Sequence, residues 1–156
     1  GLCRHYYDNH FWPDKIETCE NENILSWLEN HLCMIPMEAR RPGCSVVEGM
    51  DITKEKVVAL TKAADDCWNA ILNTDLESFA KSYKASFNAQ VAMFPAMIQG
   101  CVQEYIDKYS VMEDVLAWKM PGAGGGGYLA CVVKDANEFC EKNNESIKLK
   151  IRRSGF

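Results

Sequence analysis

Apolar positions in the middle of the chain recur at steps of three and four residues, which predicts a group of helices. Thr53 is a natural N-cap, and the first apolar stripe runs from there to Asn73. A second stripe starts near Asp75, and a third follows Pro95 and continues to Tyr109. Because stripes of this kind usually face a hydrophobic core, we interpret them as packing surfaces.

Short apolar runs before and after these helices predict strands. The runs over 32–38, 115–119 and 128–133 have the length of buried strands. The segment 147–152 alternates strictly, so we expect one buried face and one basic face exposed to water. A short helix is predicted over 23–31, before the first of these strands.

The order of the predicted elements defines a fold class. Asp135 and Glu138 form a capping-box-like pair that starts a helix between the last two strands. Strand, helices, strand, strand, helix, strand is the order of the ferredoxin-like split βαβ fold, here with an enlarged helical first crossover. We therefore expect an α+β domain over 23–156, with an antiparallel sheet and helices on one face. Residues 1–22, rich in aromatic side chains and without a clear period, are expected to be an N-terminal extension, either an aromatic-anchored loop or the tail of something larger.

Composition narrows the class of protein. The chain has 156 residues, 47% hydrophobic and 25% charged, which suits one domain with a real core. The net charge of -5 argues against a nucleic-acid partner or an anionic membrane surface. No apolar run approaches the roughly 20 residues of a membrane helix, and the polar N-terminus is unlike a signal peptide. We therefore expect a cytoplasmic protein without membrane contact.

Cysteine and histidine spacing does not indicate a metal site or a nucleophile. None of the eight cysteines forms a CxxC pair or a Cys/His cluster, so we expect reduced and mostly buried thiols. The three histidines have no spacing typical of a nucleophile and its base. Asp65 and Asp66 are adjacent and would diverge on a helix, as on a solvated face. No catalytic residue is assigned from the sequence.

A glycine-rich loop stands out before the strand 128–133. The stretch reads KMPGAGGGGYLACVV from Lys119 to Val133. Glycines let backbone N–H groups approach an anion, and successive N–H groups can form a concave site for phosphate. They also let a loop pass close to a neighbouring segment. Apolar strands on both sides favour an ordered loop over a linker, and the missing Gly-Lys-Ser/Thr excludes a Walker A motif. The candidate site residues are Gly122, Ala123, Gly124, Gly125, Gly126 and Gly127.

This stretch resembles the C-terminal glycine-rich motif of the GHMP kinases, the galactokinase, homoserine kinase, mevalonate kinase and phosphomevalonate kinase group. The family pattern is Lys-x-[Ser/Thr]-Gly-Ala-Gly-Gly-Gly-Gly. Pro121 replaces the Ser or Thr, which removes a hydroxyl and a backbone donor. The segments 66–75 and 90–95 are similar to the sugar-kinase branch near L-fucokinase and heptose kinases. The resemblance covers roughly 23–152.

The resemblance implies the C-terminal half of a kinase that transfers a phosphoryl group from MgATP to a sugar hydroxyl. In the family, the N-terminal domain carries a Pro-x-x-x-Gly-Leu-Gly-Ser-Ser-Ser-like phosphate loop, the catalytic carboxylate and the Mg²⁺ ligands. None of these appears here, so we expect no activity from this chain alone and a separate N-terminal kinase domain as partner. The sequence leaves open whether the chain is a fragment or a natural stand-alone domain.

Two neighbouring arginines are further candidate site residues. Arg40 and Arg41 precede the turn Pro42-Gly43, and guanidinium forks suit sugar or phosphate oxygens, so both are candidate substrate contacts. A solvent-exposed turn is the alternative for this pair.

The alternative function is a non-catalytic ferredoxin-like module for small-molecule binding or dimerisation. If the N-terminal half is absent, its interface should leave an apolar patch exposed, which would favour a homo-oligomer.

Overall fold

The computed structural model describes residues 1–8, 10–40, 42–43, 45–99 and 101–153. Within these residues the chain forms an α+β fold with two antiparallel sheets and five α-helices. The described part has no helix of the length and apolar character that crossing a membrane requires. The elements in chain order are β1 (Leu2–Tyr6), β2 (Lys15–Cys19), α1 (Glu22–Glu29), β3 (Leu32–Pro36), α2 (Lys54–Leu72), α3 (Leu76–Met93), a 3₁₀ turn (Pro95–Met97), α4 (Val102–Ser110), β4 (Val115–Lys119), β5 (Tyr128–Val133), α5 (Ala136–Lys142) and β6 (Ile147–Lys148).

The larger sheet has four strands in the order β4-β5-β3-β6, and each neighbouring pair is antiparallel. Cys131 of β5 lies opposite Cys33 of β3 and Trp118 of β4, which fixes the register across three strands. A register shift between Val115 and Ala117 marks an irregularity at the start of β4. This arrangement is compatible with a ferredoxin-like domain.

Alternate residues of β5 pack into two separate cores, one on each face of the sheet. Leu129, Cys131 and Val133 belong to the first core, which also contains residues of α4 and α5. Val132 belongs to the second core, with Phe79 of α3 and residues of α1 and α2. The expectation of helices on one face is therefore wrong. The continuous apolar run of β5, in place of an alternating one, requires cover on both faces.

Polar side chains start three helices where the sequence predicts them. The Thr53 hydroxyl accepts a hydrogen bond from the Lys56 amide at the start of α2, at 3.4 Å. The Asp75 carboxylate accepts from the Ser78 amide at 3.0 Å. Asp135 likewise accepts from two amides at the start of α5, at 2.8 and 2.9 Å. Each cap satisfies backbone donors that have no partner inside the helix, and these predictions are confirmed.

The helix predicted to open at Pro95 starts later than expected. Pro95 begins a 3₁₀ turn that ends at Met97, and α4 starts only at Val102. Proline fits the first turn of a helix, where its missing N–H is no loss. Met97 is almost fully buried in the first core, so the turn serves as a packing element before α4.

The N-terminal segment is a β-hairpin, where the sequence suggested a loop. β1 pairs with β2 in an antiparallel register that places Leu2 opposite Cys19. Arg4 hydrogen-bonds Asp65 and so attaches the hairpin to α2. The tip carries Phe11 and Trp12, whose exposed fractions are 88% and 75%. Aromatic and charged side chains are mixed along these strands, which hides their alternation in the sequence.

The strand predicted over 147–152 is shorter in the structure, because β6 has only two residues. The following segment is held by carboxylates of α1. Glu29 accepts from the Ile151 amide and from the Arg153 guanidinium, both at 2.7 Å. Arg153 also donates to Glu22, at 2.6 and 2.7 Å. Side-chain bonds to α1 therefore replace the expected backbone ladder.

The seven cysteines that the structure describes are all free thiols, while Cys44 lies outside the described residues. Cys33 and Cys131 are fully buried, as small apolar residues are in a core. Burial raises the pKa of Cys131 to about 12, so this thiol stays protonated near neutral pH. Cys3, in contrast, is exposed on the hairpin.

We expect acid to weaken the attachment of the C-terminal segment to α1. Hydrogen bonds from Arg153, then from Ser26, lower the pKa of Glu22 from 4.5 to about 2. A depressed pKa stabilises the fold above the unfolded value and loses this contribution as the pH falls from 4.5 towards 2. Arg153→Ala should therefore lower the free energy of unfolding near pH 6, and the deficit should shrink by pH 2.5. Urea unfolding of the wild type and the variant at both pH values measures this deficit in the free energy of unfolding. Arg152→Ala, at an exposed neighbour, is the matched control, and a pH-independent deficit would contradict the assignment.

Candidate functional site

The glycine loop is an ordered connection between β4 and β5. Its two strands pair directly, with Lys119 opposite Ala130. All five glycines of the loop have positive φ, between 73° and 143°. Gly124 and Gly125 are buried, whereas Gly122 and Ala123 form an exposed tip. The expectation of an ordered loop between paired strands is confirmed.

Close packing explains why side chains are absent from the inner part of the loop. A Cβ on Gly126 would lie 2.6 Å from the Glu38 carbonyl oxygen and 2.8 Å from the backbone nitrogen of Arg40. A Cβ on Gly124 would lie 2.8 Å from the Cβ of Met97. The loop thus packs closely between the segment that follows β3 and the 3₁₀ turn. Glycine is required here for backbone conformation and for close approach.

Two amides of the loop are already used inside the chain. The Gly125 amide donates to the Met97 carbonyl at 2.8 Å, and the Gly127 amide donates to the Glu38 carbonyl at 2.9 Å. The Met37 amide donates back to the Gly127 carbonyl at 2.8 Å. An anion cannot use these two amides without breaking the hydrogen bonds that hold the loop in place.

Of the two arginines predicted as substrate contacts, the structure describes Arg40. The Nε of Arg40 donates to the Gly124 carbonyl at 3.1 Å, so Arg40 lies against the glycine loop. Arg41 lies outside the described residues. An arginine has five N–H donors, and this bond uses one of them. Arg40 is exposed as a residue, and its guanidinium makes no other hydrogen bond among the described residues.

Gln90 of α3 is the first residue of the segment 90–95, and it lies beside the loop although no site role was assigned to it from the sequence. Its Nε2 donates to the Gly122 carbonyl at 3.4 Å. Its Oε1 is buried and has no hydrogen-bond partner among the described residues. A buried acceptor without a donor is costly, so this atom stands out beside the loop. A single glutamine on a helix has no sequence signal that distinguishes it from a surface residue.

A run of exposed apolar side chains follows the segment that flanks the loop. Val46 would be 3.4 Å from a Cβ on Gly125, which places this segment beside the loop. The residues beyond it are apolar yet exposed, with exposed fractions from 44% to 57%. Several such residues together are unusual on a soluble monomer. We call them the apolar run: Val47, Met50, Ile52, Val57 and Val58.

Comparisons with known proteins establish the fold and no family. No family model matches the chain, and no curated protein matches it. Among solved structures, the fold is similar to part of a candidate sugar kinase from Campylobacter jejuni, solved at 2.4 Å, with a TM-score of 0.53 and 15% identity. The match covers 91% of this chain and 43% of that one, so this chain spans less than half of that protein's length. At this identity the likeness shows a shared fold.

We predict that alanine substitutions in the loop separate its packed part from its tip. Gly122→Ala should cost about 1–2 kcal/mol, because φ is +73° and a Cβ there meets nothing within 4 Å. Gly126→Ala should cost about 1–3 kcal/mol beyond that figure, because its Cβ would overlap the backbone of the segment after β3. Urea denaturation measures both losses. Equal losses of unfolding free energy in the two variants would show that the close packing of Gly126 does not contribute to stability.

Proposed function

We propose that this chain is the C-terminal domain of a GHMP-family kinase of the sugar-kinase branch, and that the intact cytoplasmic enzyme phosphorylates a sugar hydroxyl with MgATP. The observation that carries the proposal is the motif 119–128 folded as a tight, ordered hairpin. The fold shared with part of a candidate sugar kinase supports it. The position of Arg40 against this hairpin adds a guanidinium suited to sugar or phosphate oxygens.

Strand order supports the finer fold assignment within this proposal. The first strand of the sheet, β3, lies between β5 and β6, and β4 forms the outer edge next to β5. The helices α2, α3 and α4 separate β3 from β4, and α5 separates β5 from β6. We assign this arrangement to a split βαβ unit with an enlarged first crossover. Its helices cover both faces of the sheet.

The residues present do not form a complete site for MgATP. The described part of the chain contains no group of three or more His, Cys, Asp or Glu residues that could hold a metal ion. Two inner amides of the glycine loop, those of Gly125 and Gly127, donate to the Met97 and Glu38 carbonyls. What the chain offers a nucleotide or sugar is the exposed tip and the free part of the Arg40 fork. We therefore derive no transfer step from this chain and assign the rest of the site to the N-terminal domain.

The partner domain is proposed to dock beside the glycine loop. The apolar run lies next to the segment that contacts Gly125, and its side chains are exposed in the chain by itself. Apolar surface of this kind marks interaction sites in soluble proteins. Docking there would place the second domain against the loop tip and the Arg40 side chain.

Activity of two proteins tests the proposal directly. One is this chain, and the other is the chain extended upstream in the reading frame of its gene to include the N-terminal domain. ATP-dependent phosphorylation of a panel of sugars should appear with the extended protein and be absent from the isolated chain. Robust turnover by the isolated chain would contradict the division of the site. An upstream frame without a Gly-Ser-rich phosphate loop would overturn the kinase assignment.

The alternative is a non-catalytic binding or dimerisation module, and one observation favours it. Phe11 and Trp12 are exposed at the hairpin tip and contact each other edge to face, with ring centroids 5.3 Å apart. Exposed aromatic side chains are typical of the centre of protein interfaces. Sedimentation of the chain and of its Phe11→Ser variant separates the cases, because only the module is expected to associate through the hairpin tip. A homo-oligomer that Phe11→Ser converts to a monomer supports the module.

We predict that a charge in the apolar run weakens docking without affecting the fold. Val58→Lys should change the stability of the isolated chain by less than about 0.5 kcal/mol, because the side chain is already exposed. It should lower affinity for the separately produced N-terminal domain at least tenfold, as calorimetry would measure. Val111→Lys, at an 82% exposed site after α4, is the matched control. Equal effects of the two substitutions would exclude this docking surface.

A further inference from the structure

Lys119 is a half-buried lysine at the end of β4, immediately before the glycine loop. Its Nζ donates a hydrogen bond to the Ser86 hydroxyl of α3. Six lysines of the described part pair with carboxylates, for example Lys56 with Asp51 at 2.5 Å. No carboxylate of the described residues lies within ion-pair distance of Lys119. Its charge is therefore uncompensated.

The surroundings of Lys119 penalise that charge. Burial lowers the pKa of Lys119 below its ordinary value. Removing an ammonium group from water is costly unless an opposite charge and further hydrogen bonds replace the water. A lysine held in such a position gains from an anion that binds beside it.

A cleft opens beside the Lys119 side chain. It has a volume of about 340 Å³ and lies among β1, α2, α3 and the residues after β4. Pockets of roughly 300–1,000 Å³ are typical of small-molecule sites. Most of its exposed lining is apolar. Its walls include Arg4, Cys67, Trp68, Ile71, Tyr83 and Ser86.

The polar groups of the cleft favour one negative charge. Arg4 is paired with Asp65, so its charge is already compensated. Lys119 has no such partner, which leaves the cleft one positive charge in excess. The Ser86 oxygen accepts from Lys119, and the Ser86 hydroxyl donates to no acceptor among the described residues. One ammonium and one free hydroxyl donor thus stand together, as an anionic head group requires.

We propose that this cleft binds a small organic monoanion, with its anionic head on Lys119 and Ser86 and its apolar body against Trp68, Ile71 and Tyr83. The site is distinct from the glycine-loop tip and does not depend on kinase activity. Sequence reasoning gave Lys119 only as the first residue of the motif. Its role here follows from the cleft that α2, α3 and the N-terminal hairpin form around it.

Three probes test the proposal on the chain itself. Phenylacetate has the charge and the ring, phenylacetamide has the ring without the charge, and acetate has the charge without the ring. Titrations followed by NMR of the tryptophan indole and lysine side-chain signals should show saturable binding of phenylacetate at the Trp68 and Lys119 signals. Phenylacetamide and acetate should bind at least tenfold more weakly. Equal binding of phenylacetate and phenylacetamide, or no saturable binding of phenylacetate, would overturn the proposal.

Variants locate the binding. Lys119→Met keeps the length and apolar stem of the side chain and should weaken phenylacetate binding at least tenfold. Lys84→Met, on the α3 helix that carries Ser86 but with its Nζ over the Trp118 ring, is the matched control and should leave the affinity unchanged. Ser86→Ala should reduce affinity severalfold and serves as the second variant if Lys119→Met does not fold. Unchanged affinity in both Lys119→Met and Ser86→Ala would assign the binding elsewhere and overturn the site.

Discussion

The backbone contact between the glycine loop and the segment after β3 is the constraint on which the candidate site depends. At Gly126 the two backbones approach so closely that a methyl group would overlap the Glu38 carbonyl. The reciprocal bonds between Met37, Glu38 and Gly127 continue the pairing of β3 and β5 beyond Pro36. Both Arg40 and the loop tip take their positions from this contact. The glycines therefore serve the fold first, and any ligand uses what the fold leaves exposed.

Sequence patterns predicted most elements of the fold, because their signals are local. Caps such as Thr53 and Asp75 act within one helical turn, and β5 lies where its apolar run indicates. The layering was wrong, because the number of covered faces depends on which helices return to the sheet. The N-terminal hairpin was missed, and β6 is shorter than the strand predicted over 147–152, because contacts with distant parts of the chain hold both segments. Arg4 and Glu29 hold these segments through partners more than sixty residues away in the chain.

The candidate site was predictable only where a motif marks it. Six consecutive small residues between strands identify the loop, and Arg40 was found by its position before a turn. Gln90 and the cleft around Lys119 needed the structure, since single polar residues on regular elements resemble surface positions. Both residues are buried, at least in part, without the partner that their chemistry requires. Gln90 has a buried acceptor without a donor, and Lys119 has an ammonium group without a carboxylate. Such mismatches arise from tertiary packing, which neither spacing nor composition records.

The reciprocal hydrogen bonds between Met37, Glu38 and Gly127 have a mechanical consequence. They join the inner part of the glycine loop to the exit of β3, and the Gly125 amide attaches the loop to the 3₁₀ turn through the Met97 carbonyl. A force applied at Gly122 or Ala123 would be transmitted through these contacts to the strand that lies between β5 and β6. Contact at the exposed tip would therefore act on the sheet through these hydrogen bonds.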